Sequence, residues 1–263
     1  MINAALSSAA LLGAPTDLIL RTAAAAGVRG LVWSSDSSIE SGDIAGASEV
    51  MMATLKAGLS TASYSTLFRA GVHDPRKFAD ILATARALQA PSVQLWAGTK
   101  SDSVASDTKR FAAVVPRLAD MGAKEGIALC FGMGRGSAID TYERATALIG
   151  ALDHPFIKLC WEPLPGASFD TAMEAFSVLS GRVGLLCARS SGPVDQNHLL
   201  RDKAEDWLLY LDALDEQGGS PDMARYVVIR SFKDGTAASL ADDARLINTW
   251  SEKLRRYRRR RLY

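Results

Sequence analysis

The chain has 263 residues, 48% of them hydrophobic and 22% charged, with 21 Gly, 9 Pro and a formal net charge of +1. These are ordinary globular values, enough for one large domain or two small ones. A nearly neutral chain has no global field to draw in nucleic acid or membrane, and no apolar run approaches the roughly 20 residues that span a bilayer.

Read in order, short β-type runs alternate with amphipathic helical stretches. The opening MINAALSSAALLGAP lacks a basic n-region and fits a first strand and turn better than a signal segment. NAALSSAAL then precedes the helical TDLILRTAAAAG, VRGLVWSS precedes ASEVMMATLKAG, and LSTASYS precedes DPRKFADILATARALQA. The same order repeats with SVQLWAG before DTKRFAAVVPRLADMGAKEG, IALCFGMG before DTYERATALIGALD, and FIKLCWEP before FDTAMEAFSVLSG. RVGLLCARSS before KAEDWLLYLDALDEQGG and RYVVIRSF before SLADDARLINTWSEKLRR complete the series. Asp74-Pro75 signals one helix start, Gly126 follows another helix, and Pro116 falls inside a helical pattern where it is expected to kink the chain.

About eight β-then-α units in roughly 250 residues predict a single (β/α)8 barrel. No linker-like shift divides the chain, so residues 1–254 read as one barrel and 255–263, RRYRRRRLY, as a solvated basic tail. A doubly wound sheet is the alternative, but FGMGRGSA places Gly132, Gly134 and Gly136 without the GxGxxG spacing. With no basic stripe elsewhere, a dedicated nucleic-acid binder is not expected. Cys130, Cys160 and Cys187 lie in apolar runs with no CxxC, which predicts reduced core thiols in a cytoplasmic protein; a soft-metal thiolate site is the other reading.

Barrel chemistry sits at the C-terminal strand ends, where side chains alternate in and out. The positions to watch are Ser7, Ser8, Val32, Ser34, Tyr64, Trp96, Gly132, Gly134, Glu162, Cys187, Arg189 and Arg230. Glu162 would be a general base if burial raised its pKa, or an ion-pair partner of Arg230, Arg189 or Lys158. GMGRGS, with Arg135, would cradle a phosphate or simply form a loop. Asp195 and His198 would supply acid–base groups or belong to a surface loop, and Ser190 and Ser191 have no nucleophile-elbow context.

Several segments, in this order and spacing, resemble the xylose-isomerase-like family of sugar and sugar-phosphate isomerases and epimerases. ASYSTLFRAG is similar to its SYGSYYRAG, VQLWAGTK to VWAGTK, LCWEP to YWQP, VVIRSFKD to LLEFVKD, and EDWLLYLDAL fits the helix before the last strand. The resemblance implies a TIM barrel with a divalent metal at its mouth, yet the implied ligand positions are replaced. Val32 stands for a carboxylate and Ser34 for an Arg, Ser38 and Ser41 fall where His is common, and Gly132 and Gly134 replace a Glu and a His. Glu162 stands for Gln or Asp, Cys187 for His, and Arg230 for the closing Glu. Tyr64, Arg69, Trp96, Thr99, Lys100 and Trp161 match the ligand-contacting shell, to which Arg189 is added; packing and local ion pairs are the other reading of these residues.

The expectation is therefore a divergent barrel with no metal and no cofactor. It would bind a small polyol or anionic ligand, or a paralogous subunit or second copy, through the old mouth or outer helices. The alternative is a metal-independent isomerase or epimerase of a hydroxy-carbonyl substrate, with Glu162 moving the proton and Arg230 as a fixed cation.

Overall fold

The computed structural model describes residues 2–134, 136–189, 200–216, 225–232 and 235–261, apart from the side chains of Arg189 and of residues 259–261. Eight parallel strands close on themselves in sequence order, each neighbour paired with the next and the first with the last. The strands are β1 (Ile2–Ser7), β2 (Gly30–Ser34), β3 (Ser60–Ala70), β4 (Ser92–Ala97), β5 (Ala128–Gly132), β6 (Ile157–Trp161), β7 (Val183–Arg189) and β8 (Arg225–Ser231). The helices between and after them are α1 (Thr16–Ala25), α2 (Ile44–Lys56), α3 (Phe78–Ala87), α4 (Val104–Lys124), α5 (Tyr142–Gly150), α6 (Phe169–Leu179), α7 (Ala204–Glu216) and α8 (Ala237–Arg261). This is the single (β/α)8 barrel that the sequence alternation predicts. No described helix is long and apolar enough to cross a membrane.

Two cores follow from the period-two alternation of the strands. Outward residues such as Leu31, Trp33, Leu129, Phe131, Leu159 and Ile229 pack under the helices. Inward residues Ala5, Val32, Ala62, Cys130, Cys160, Leu185, Cys187, Tyr226 and Val228 fill the barrel itself. The three thiols belong to this inner layer and are fully buried.

Helix starts obey local chemistry. The Asp74 carboxylate accepts from the Arg76 amide, and Pro75 opens the short 3₁₀ turn that leads into α3. Gly126, at φ +70°, follows α4 in the left-handed conformation that a helix exit favours. Helix α4 runs through Pro116 without ending there.

The C-terminal boundary is a correction. The basic segment is no separate tail: α8 continues as helix to Arg261. Arg258 explains why, because its guanidinium bonds the Asp212 carboxylate and carbonyl and lies within 3.5–3.6 Å of Asp215 and Glu216 on α7. Its pKa is raised, chiefly by the Asp212 hydrogen bond.

One buried charge network fixes the loop between β4 and α4. The Asp107 carboxylate, with no exposed side-chain surface, accepts from Arg144 Nη1 at 2.7 Å, the Ser101 amide at 2.9 Å and the Ser101 hydroxyl at 2.7 Å, and also from Arg110. Burial raises its pKa, but these donors outweigh burial and bring it down to about 2. A folded-state pKa below the unfolded one gives stability that is present above the unfolded value and lost as pH falls through the folded one. We therefore expect about 2 kcal/mol of stability to disappear between roughly pH 5 and pH 2. Asp107→Asn should cost about 3 kcal/mol at pH 7 and lack that acid-side loss. Denaturant melts of both proteins across this pH range measure it, and parallel curves would refute the assignment.

Candidate site at the barrel mouth

The site sits at the C-terminal ends of the strands, and the alternation of β6 decides its main carboxylate. Trp161 turns outward, stacked on Tyr142 at a 6.1 Å centroid distance and packed against Phe176 and Tyr210 at 4.7 and 4.9 Å. Glu162, the next residue, therefore turns inward and is almost wholly buried. Arg230, an inward residue of β8, reaches it: Arg230 Nη1 lies 3.5 Å from Glu162 Oε2, with side-chain exposures of 20% and 4%. Burial pulls the Arg230 pKa down, but Cys187 and Glu162 outweigh it and the guanidinium stays charged. Below the pair, the Cys160 thiol donates to the Cys130 carbonyl at 3.7 Å, and burial pushes its pKa well up. It remains a protonated core thiol rather than a thiolate.

Trp96 dominates the opposite side. It faces inward at the top of β4 and spreads over Gly132 and Gly134. A Cβ at Gly134 would meet the indole Cζ3 at 2.8 Å, and one at Gly132 at 3.4 Å. The indole thus occupies the space into which side chains at these two positions would project. Arg69, carried on the long overhang of β3 and paired in register with Trp96, places its guanidinium carbon 5.7 Å from the indole centroid. Its Nη1 also donates to the Gly98 and Gly136 carbonyls at 3.0 and 3.4 Å. The rim beside it is closed by the Lys100–Asp140 ion pair at 2.8 Å, while Thr99 is exposed and offers its carbonyl to Arg110. Across the mouth lies an arc of hydroxyls. Ser8 Oγ accepts from the Ser34 amide and the Ser38 hydroxyl, and Ser34 donates to Asp36.

Two expected ligand contacts do not line this mouth. Trp161 belongs to the helix-facing layer, as the strict alternation beside Glu162 requires. Tyr64 is also fully buried outside the barrel, donating to the Ile39 carbonyl at 2.8 Å with Ser41 Oγ 3.0 Å away. The physical reason is a bulge: Leu31 pairs with Thr61 but Val32 pairs with Ser63, so one extra residue in β3 inverts its alternation. Strand β3 also runs five residues beyond the expected Ser65. The side chain of Arg189 lies outside the described residues, as do Arg135, Ser190, Ser191, Asp195 and His198. The sequence reading overlooked Gln94, the inward residue one step below Trp96. A lone polar residue in the apolar run SVQLW, in phase with Trp96, was the available signal. Among the described residues, no three His, Cys, Asp or Glu side chains converge closely enough to hold a metal ion.

The crystal structure of a xylose isomerase domain protein from Planctomyces limnophilus superposes with a TM-score of 0.73, covering 97% of this chain and 98% of that one at 16% identity. The fold is that of the xylose isomerase-like TIM barrels. D-psicose 3-epimerase from Clostridium cellulolyticum H10, with D-tagatose, shares it at a TM-score of 0.66 and 13% identity, with 98% of each chain covered. A xylose isomerase-like barrel from Mycobacterium smegmatis in complex with magnesium gives 0.65 at 15% identity, covering 96% and 97%. No protein-family model and no curated protein matches the sequence. At these identities the likeness establishes the xylose isomerase-like fold, and function must be argued from the mouth itself.

The Trp96–glycine contact is directly testable. Gly134→Ala should cost about 1–3 kcal/mol through overpacking against the indole. Trp96→Leu should relieve most of that cost, giving a coupling of about 1 kcal/mol or more in a double-mutant cycle. Additive effects would show that the two positions do not touch.

Proposed function

We propose that this barrel works without a divalent ion and that its mouth binds a small polyol or anionic ligand. The observation that carries the reading is the Arg230–Glu162 contact across the strand ends. A divalent ion needs carboxylate oxygens or imidazoles, and Mg²⁺ or Mn²⁺ needs an oxygen-rich, near-octahedral shell. The described residues at the mouth do not fit that demand. Val32 is part of the apolar interior, Gly132 and Gly134 lie under Trp96, and Cys187 is packed among other core side chains. Arg230 adds a repulsion of roughly 4 kcal/mol for a unit charge at about 4 Å and an effective dielectric near 20.

Two further features support a binding role. In the hydroxyl arc the partly exposed Ser38 offers a group suited to a polyol, with the buried Ser8 and Ser34 hydroxyls behind it. Trp96 is only half-buried, which leaves an aromatic wall for a carbon chain. Several solved barrels of this fold are sugar isomerases or epimerases by name, which is consistent with a polyhydroxylated ligand.

Elemental analysis of the purified protein should find no stoichiometric metal. Adding Mg²⁺, Mn²⁺ or Zn²⁺ should leave the melting temperature unchanged. A genuine site at about 100 times its Kd would add about 2.7 kcal/mol, readable as a rise of several degrees. A stoichiometric metal, or a chelator-sensitive melting temperature, overturns the reading.

A further inference from the structure

Three features of the mouth agree on the charge and shape of the ligand. The first is Gln94, an inward residue of β4 whose side chain belongs to a residue only 6% exposed. Among the described residues its Nε2 has no hydrogen-bond partner. Leaving a buried amide donor unmade is costly, and an acceptor atom on a ligand would remove that cost.

The second is the looseness of the Arg230–Glu162 pair. A guanidinium and a carboxylate that are matched partners sit about 2.7–2.9 Å apart, commonly through two parallel bonds. Here there is one contact at 3.5 Å, and the other groups acting on Arg230 among the described residues are the weakly accepting thiols of Cys187 and Cys160. Among the described residues, no acceptor matches all of its N–H donors.

The third is Arg69. Among the described residues no carboxylate pairs with it; its partners are an indole face and two backbone carbonyls. Lys100 and Asp140 neutralise each other, and Asp36 is exposed to water, where its charge is screened. Among the described residues, the less exposed charges of the mouth are thus two guanidinium groups against the single carboxylate of Glu162.

Geometry brings these groups to one place. Strands β4 and β8 stand opposite each other in the eight-membered ring, so Gln94 and Arg230 approach the axis from facing sides. We propose that the mouth takes a small hydroxy-carboxylate: the planar carboxylate engages Arg230, Gln94 donates from across the axis, and the hydroxylated carbons lie between Trp96 and the serine arc. A guanidinium matches a carboxylate in shape as well as charge. This deepens the metal-free reading above and rests on it.

The test uses the intact protein in the presence of a chelator and measures binding by calorimetry. Glycerate, threonate and gluconate are compared with the alcohols of equal chain length, glycerol, threitol and glucitol, and with inorganic phosphate and glucose 6-phosphate. At least one acid should bind ten-fold or more tighter than its matched alcohol and than either phosphate. Arg230→Gln should abolish that preference and Gln94→Leu should weaken acid binding several-fold. Glu162→Gln should strengthen it several-fold, because it removes the internal competitor for the guanidinium. Alcohols bound as tightly as acids, phosphates bound more tightly, or no acid bound at all would overturn the carboxylate assignment. So would weaker acid binding by a correctly folded Glu162→Gln protein. If Arg230→Gln does not fold, the Gln94→Leu and Glu162→Gln pair, with opposite expected signs, still decides. A bound stoichiometric metal sinks the metal-free reading itself, whereas a preference for the alcohols sinks only this inference.

Discussion

A charge held largely away from bulk water needs a partner inside the protein, and that constraint organises the upper half of this barrel. Arg230 lies at the end of an apolar strand, where its guanidinium points toward the axis rather than the surface. Desolvation alone would make such a placement untenable. Glu162 offsets it, and the small thiol-lined layer beneath leaves room for the long side chain. Glu162 is available only because the bulky ring of Trp161 is absorbed by the helix layer, which forces the following residue inward. One strand's alternation thus supplies both a piece of the outer core and the counter-charge of the inner one.

The steric counterpart of this electrostatic arrangement is the pairing of Trp96 with two glycines. Neither member makes sense alone. An indole of this size cannot lie across the strand ends if β5 carries side chains there, and bare glycines at the same height would leave a void beside the buried ion pair. Arg69 then uses the upper face of the indole and ties the loops after β4 and β5 together through their carbonyls. Changes at positions 69, 96, 132 and 134 are therefore energetically linked through direct contact.

Much of this was legible in the sequence, and the failures have identifiable causes. The eight β-then-α repeats and the inward placement of Glu162 and Arg230 follow from periodicity, because burial selects apolar residues at fixed spacing. The facing of Tyr64 did not follow, because a one-residue bulge at Ala62–Ser63 reverses the alternation and leaves no compositional mark. The facing of Trp161 did follow from its neighbour, but it was obscured by the motif resemblance, which carries residue identity and not direction. The helical nature of the basic C-terminus was hidden for another reason. A run of Arg reads as self-repelling until its acidic partner is known, and Asp212, Asp215 and Glu216 lie more than forty residues away in sequence. Asp107 likewise looks like an ordinary first-turn acid of α4, and only the fold brings Arg144 to it.

These same long-range contacts bear on how the loops at the strand ends are held together. A divalent cation bound by several strand ends would act as a cross-link, holding the loops that surround it in register. In this chain side chains make such cross-links. Arg69 joins the loops after β4 and β5, Lys100 joins Asp140, and Arg144 joins Asp107 to the Ser101 carbonyl at 2.7 Å. Tyr64 reaches from the outer core to the loop after β2 through Ile39 and Ser41. These contacts tie the described loops to one another, and groups held in place in this way lose little freedom on contact with another molecule. On the metal-free reading proposed above, Arg230 supplies the mouth with a cation that cannot dissociate.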